Sequence, residues 1–179
     1  IISAHNFRSW KKLKTIRCPE GFEVCTVEGK GRGVFARRDL QAGLRVCVCS
    51  GYITDMKNIT AMCLQLDANV FLQGVGEFDD FINHSCDPNC VIRFEGETPV
   101  LFVLKNMLEG EELTFDYNTT DWDMYEQEAS ANSDIAFSCR CGTAKCVGDI
   151  KGFRYLSDSQ RSERKDCLSP FLQSRFSHP

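Results

Sequence analysis

At 179 residues, with 42% hydrophobic and 26% charged side chains, the chain is sized for one domain with a packed core and is too short for two independent enzyme domains. Its net charge of -4 argues against a broad grip on nucleic acid, which clustered Lys and Arg would drive, and makes a basic peptide the better-matched partner. No run reaches the roughly eighteen apolar residues of a bilayer crossing, and the start IISAHNFRSWKKLK lacks the apolar stretch of a secretory signal, so neither membrane nor export is expected.

Residues 1–20 read as an N-terminal arm, with Lys11, Lys12, Lys14 and Arg17 around Trp10. From Phe22 to Tyr52, short apolar runs alternate with Gly-containing turns (FEVCTVEG, GRGVFARRDLQAG, LRVCVCSGYI), which predicts short strands joined tightly. Periodicity leaves 55–66 open between helix and loop. VLFVL from Val100 and LTFDY from Leu113 predict two more strands. In the second, alternation puts Leu113, Phe115 and Tyr117 on one face and Thr114 and Asp116 on the other. The acidic stretch NTTDWDMYEQEASANSD predicts a surface loop or short helix. Past Arg154, apolar positions at Leu156, Leu168, Phe171, Leu172 and Phe176 predict a docked amphipathic tail. Ser169-Pro170 would start its last helix, with Ser as N-cap and Pro in the first turn.

Eleven cysteines, an odd number, point to metal ligation and buried thiols rather than a disulfide framework. Cys139, Cys141 and Cys146 form C-x-C-x4-C around Gly142, so three thiolates can converge on a tetrahedral zinc from one short loop. A structural site needs a fourth ligand, and Cys86 and Cys90 are the candidates; the alternative is three thiols buried as small hydrophobes. The glycines of GKGRGVFA at 29–36 allow close backbone approach to a ligand, although a hairpin turn explains them equally. In FINHSCDPNC at 81–90, Asn83, His84 and Cys86 cluster. A Cys–His nucleophile is one reading of that segment, weakened because such partners usually come from distant parts of a chain. A buried Tyr117 must find a partner for its hydroxyl, which makes it a candidate for polar work in an apolar pocket.

Taken in order, GRGVFA, FINHSCDPNC, EELTFDYN and CRCGTAKCVG resemble the SET-domain lysine methyltransferases that carry a post-SET zinc knuckle, over roughly residues 21–152. The resemblance implies a mainly β fold of small curved sheets, with a pseudoknot between the NHSC and DY segments. It also implies boundaries at 1–20 (arm), 21–118 (SET domain), 119–152 (linker and post-SET zinc knuckle) and 153–179 (helical tail). By the same resemblance, Gly31, Arg32 and Gly33 hold the methionine end of S-adenosylmethionine and Asn83 and His84 its adenosine end. Cys86 completes a zinc site with Cys139, Cys141 and Cys146. Tyr117 contacts cofactor and lysine as the catalytic residue, and Phe115, Trp122 and Phe153 border the lysine channel. The implied activity is methylation of a lysine on a basic protein or peptide, such as a histone tail, with solvent as proton acceptor. The alternative is a SET-fold binding module with little or no transfer. Two departures favour it: Cys49 stands where the family usually has Tyr, and Asp80 where it usually has Arg. The paired Asp79 and Asp80 read as a solvated turn, the alternative being carboxylates that attract a basic substrate.

Overall fold

The computed structural model describes residues 11–12, 16–27 and 31–177. Trp10, Lys14 and the first two residues of GKGRGVFA lie outside the described residues. Thirteen strands follow one another as β1 Lys11–Lys12, β2 Phe22–Val27, β3 Gly31–Ala36, β4 Arg45–Val48, β5 Tyr52–Thr54, β6 Cys63–Asp67, β7 Val70–Gln73, β8 Asn83–His84, β9 Cys90–Glu95, β10 Thr98–Val103, β11 Thr114–Phe115, β12 Phe137–Ser138 and β13 Asp149–Ile150. Three short helices, α1 Met124–Ala131, α2 Asp158–Arg164 and α3 Pro170–Ser177, occupy the C-terminal part. The strands make three three-stranded sheets (β1-β2-β3, β4-β10-β9, β5-β7-β6) and two two-stranded pairs (β8-β11, β12-β13). This is the mainly β architecture of small sheets that the sequence resemblance implies.

The first two sheets close on one core. Phe22, Val24 and Val34 meet Ile92, Leu101, Val103 and Met107 there, with Phe78, Phe81 and Leu113 from the connections. Bridges from Phe35 to Glu112 and from Leu40 to Met107 stitch the sheets together. The glycines of GRGVFA begin strand β3, where Gly31, at φ 78°, pairs with Val27 at the end of β2 in an antiparallel hairpin. Gly33 pairs with Cys25 across β2, and a Cβ there would fall 2.6 Å from a Glu112 carboxylate oxygen, so any larger residue would displace the Glu112 side chain that accepts from Asn83. The undecided stretch at 55–66 resolves into one 3-10 turn at Met56–Asn58 and the start of β6.

The stretch after Tyr117 departs from the expectation of a solvated loop. Asn118, Thr119, Thr120, Asp121, Asp123 and Gln127 are all buried, and neighbouring groups satisfy most of their polar atoms, Asn118 Oδ1 and Gln127 Oε1 excepted. The Thr119 hydroxyl donates to the Asp116 carbonyl and the Thr120 hydroxyl to the Asp121 carboxylate, and Arg154 and Tyr155 reach Asp123. The expected LTFDY strand is likewise only two residues long before a 3-10 turn at Tyr117–Thr119. Asp116 therefore turns inward, where its carboxylate meets Arg164 at 2.6 Å. The tail behaves as its sequence predicts. Ser157 and Gln160 form a reciprocal capping box on α2, and the Ser169 hydroxyl accepts from Leu172 N–H at the start of α3. Phe153, Leu156, Leu168, Phe171 and Leu172 form a second small core beneath these helices.

Candidate functional site

The site is built where two sequence-distant segments lie side by side. β8 and β11 pair in parallel, Thr114 opposite Asn83 and Phe115 opposite His84. Tyr117 is tied to the same segment at both ends: its N–H donates to His84 Nδ1 at 3.1 Å and its hydroxyl to the Ile82 carbonyl at 2.9 Å. Asn83 Nδ2 donates to the Arg32 carbonyl at 2.8 Å and to Glu112 Oε1 at 2.7 Å, so the glycine strand, the NHSC segment and the DY segment meet at one amide. Asn89 braces the junction from below, donating to the Glu112 carbonyl and accepting from Thr114 N–H.

Beside this junction opens a cavity of about 570 Å³, within the range of small-molecule sites. Asn83, His84, Glu112, Phe115, Tyr117 and Asp121 line one part of it, and Cys49, Cys63, Asp79 and Asp80 another. Gly31, Arg32 and Gly33 do not line it; the Arg32 carbonyl and Gly33 lie against Asn83, and the Arg32 guanidinium stacks on Phe81 at 3.9 Å. Burial pushes the Tyr117 hydroxyl well above its ordinary value, and the charges of Asp121 and Glu112 add to this, so it stays a phenol and a hydrogen-bond donor. Burial also pulls His84 down to about 4. His84 Nδ1 lies 3.7 Å from Asp116, but the burial of the ring outweighs that attraction and the pair is not ionic.

Because His84 Nδ1 accepts the Tyr117 N–H, the ring proton sits on Nε2, 3.2 Å from Cys86 Sγ. The structure thus brings His84 and Cys86 together, yet leaves no free ring lone pair to take a thiol proton. Burial holds the Cys86 thiol up as well. Both facts argue against a Cys–His nucleophile.

Cys86 instead belongs to a cluster with Cys139, Cys141 and Cys146, whose sulfur atoms all lie within 4.8 Å of one another. Cys86 and Cys139 are 3.8 Å apart, and a tetrahedron with zinc–sulfur bonds of about 2.3 Å has edges of about 3.8 Å. The donor set therefore fits a structural zinc. Burial opposes ionisation of Cys141, but hydrogen bonds from Thr143, the Cys86 backbone and Cys139 hold it down at about 6. Cys90, the other candidate for the fourth ligand, is buried on β9 in the main core.

Two further expectations are corrected. Trp122 and Phe153 do not line the cavity; they pack with the tail helices, their rings 6.4 Å apart, because the chain at 151–155 returns beneath Trp122 to hydrogen-bond its carbonyl. Phe137, two residues before the knuckle, takes the wall position, with its ring 5.7 Å from His84 and 6.0 Å from Tyr117. Asp79 and Asp80 are not a solvated turn. Asp79 accepts from Ser50 N–H and hydroxyl, and Asp80 from Gly76 and Glu77 N–H, so both tie loops at the cavity's edge. Glu112, Asp121 and Phe137 were not singled out from the sequence. A Glu two residues before β11 and an aromatic just before the first knuckle cysteine were the available signals; Asp121 sits in a polar run with no period.

A family model, the SET domain, matches residues 31–118. The chain is 38% identical over 160 residues to histone-lysine N-methyltransferase ash1 of Drosophila melanogaster, covering 79% of this chain and 7% of that protein. It is 30% identical over 179 residues to histone-lysine N-methyltransferase SETD2 of Homo sapiens, covering 85% of this chain and again 7% of the relative. The chain thus spans under a tenth of the length of these relatives. Among solved structures, KRYPTONITE in complex with mCHG DNA and SAH matches with a TM-score of 0.59 at 24% identity, over 74% of this chain and 29% of that one. A second KRYPTONITE complex, with mCHH DNA, an H3(1-15) peptide and SAH, matches with the same TM-score at 23% identity.

Proposed function

Since this chain belongs to the SET-domain family, we propose that it transfers a methyl group from S-adenosylmethionine to a lysine side chain of a protein, with a histone tail as the substrate class. The observation that carries the reading is the convergence of Asn83, His84 and Tyr117 on one cavity, with the four-cysteine cluster at its border. The names of the relatives and the histone peptide in the KRYPTONITE complex favour the substrate class.

The cofactor, when bound, supplies an electrophilic methyl group on a sulfonium. The work of this chain is to bind and align. Asn83 and His84 take the adenosine end, while Gly31, Arg32 and Gly33 offer backbone groups to the methionine end. Transfer to an amine is an in-line displacement, so holding the nitrogen on the axis of the breaking bond supplies most of the acceleration. Tyr117, a phenol at working pH and fixed at both ends, presents its oxygen to the reacting centre and excludes water from it. Phe115, with its ring 4.7 Å from Tyr117, brings no hydroxyl that would hold a water where a methyl group must fit, so the site accommodates more than one methyl. Cys86, Cys139, Cys141 and Cys146 hold zinc, which pins the knuckle and Phe137 over the cavity.

The second reading, a SET fold that binds without transfer, draws on Cys49 and Asp80. Both line the cavity without closing it. Incubating the purified chain with labelled S-adenosylmethionine and a panel of core histones and basic peptides separates the readings, with Tyr117→Phe as control. Label on a lysine that disappears in the variant supports transfer. Measurable cofactor binding with no label on any protein supports the binding module.

A further inference from the structure

Asp121 has no part in the reading above, yet its position is unusual. Three aspartates between 116 and 123 are buried. Asp116 is paired with Arg164 and Asp123 with Arg154. Asp121 is 4% exposed, and among the described residues no Lys, Arg or His lies within ion-pair distance of it. Its carboxylate accepts only from neutral groups, the Thr120 hydroxyl at 2.8 Å and Gln127 Nε2 at 3.2 Å. A buried anion without a cation is costly, and the cost falls when a cation arrives. Asp121 lines the cavity, and its N–H donates to the Tyr117 carbonyl at 3.0 Å, which holds its backbone beside that of Tyr117.

The groups packed around Asp121 do not compete for the cation. Cys63 on β6 and Tyr117 are pushed up first by burial and then by the charge of Asp121, so both are neutral at physiological pH. On the side of α1, Gln127 and its partner Gln65 are neutral amides. Elsewhere in the cavity wall, Glu112 donates nothing and is already bonded to Asn83, His84 is neutral, and Asp79 and Asp80 are bound to backbone N–H groups. Arg140, the cavity's one lining cation among the described residues, is not within ion-pair distance of Asp121.

We infer that Asp121 receives the ammonium of the substrate lysine and takes its proton. The inference rests on the lysine methyltransferase reading and replaces solvent as the first proton acceptor. One N–H bond of the ammonium breaks, its electron pair stays on nitrogen, and the proton joins a carboxylate oxygen of Asp121. The amine is then neutral and nucleophilic, and the proton passes to water when product leaves. Burial pushes the Asp121 carboxyl up to about 6 and lowers the amine, so the two affinities for the proton approach each other where water is excluded.

The test uses n-butylammonium, the end of a lysine side chain, against n-butanol, its neutral counterpart, with the full chain and S-adenosylhomocysteine. Wild type should bind n-butylammonium saturably, and Asp121→Asn should bind it about thirtyfold or more weakly, the loss typical of removing one partner of a buried charge pair. Binding of n-butanol should be the same for both proteins. In wild type alone, the 13C signal of the Asp121 carboxyl should titrate near 6 and move to lower pH by about one unit or more with the amine present. That measurement decides the matter even if the variant folds poorly. Equal n-butylammonium affinity in the two proteins, no saturable binding to wild type, or a carboxyl titration unmoved by the amine each overturns the inference. Wild type that labels no histone overturns the methyltransferase reading instead, through a different assay.

Discussion

The buried pair between Arg164 and Asp116 makes a sharp test of how the tail supports the site. Arg164 Nε lies 2.6 Å from Asp116 Oδ2, with the two side chains 7% and 3% exposed. Asp116 Oδ1 also accepts from Asn118 N–H and Nδ2 at 3.0 and 2.9 Å, which sets the 3-10 turn carrying Tyr117. Arg164→Met keeps the volume but strands a carboxylate that water cannot reach. Removing one partner of such a pair costs about 3–5 kcal/mol. For a chain of this length each kcal/mol moves the melting midpoint by about 2–4 °C, so a fall of roughly 6–20 °C is expected by circular dichroism at pH 7.5. Adding Asp116→Asn removes the stranded charge and should recover most of that loss, so the two substitutions are strongly non-additive. The exposed pair Arg45–Glu95, at 48% and 49% exposure, is the internal control, and Arg45→Met should leave the midpoint where it is. If Arg164→Met behaves like Arg45→Met, the claim that tail helix α2 anchors the Tyr117 turn is wrong.

Native mass spectrometry should find about one zinc per chain. Stripping it should weaken S-adenosylhomocysteine binding while leaving the far-ultraviolet signal of the main sheets nearly intact, because the knuckle joins the body through Cys86; unchanged cofactor affinity would separate the knuckle from the site. Phe115→Tyr should shift the product towards monomethyl-lysine by supplying a hydroxyl beside Tyr117, and a wild type that makes only monomethyl-lysine defeats the reasoning about room in the channel. Asp121 also predicts a pH dependence of stability. Burial raises its carboxyl from 3.8 to about 6 in the folded chain, so the folded state holds the extra proton between those limits and stability falls as pH rises through them. Above pH 6 the deficit levels off at about 3 kcal/mol. Asp121→Asn should therefore melt higher than wild type at pH 7.5 and no higher near pH 4, and identical melting curves at both pH values would sink the burial argument.

How far the sequence carried the site depends on which physics each residue obeys. The cysteine cluster was legible because C-x-C-x4-C around Gly142 is a local pattern, and its fourth member was narrowed to two cysteines that only the fold could separate. Cys86 leaves β8 towards the knuckle, whereas Cys90, four residues on, enters β9 and the core. The parallel pairing of β8 with β11 was legible only through the resemblance, since the two segments lie about thirty residues apart and neither is long enough to show a period. Alternation failed at Asp116 because it presumes that a strand continues, and this one ends at Phe115. It failed at Trp122 and Phe153 for a related reason: aromatic residues near a site in sequence are as easily captured by a second core, and here α2 and α3 provide one. Polar composition misled most. NTTDWD reads as solvated, but its buried side chains are mostly satisfied by a neighbour or by the tail, and the one carboxylate left without a cation belongs to Asp121, which lines the cavity. A polar run is buried when the fold brings its partners, and Arg154, the partner of Asp123, lies more than thirty residues downstream. No window of local sequence contains both halves of that arrangement.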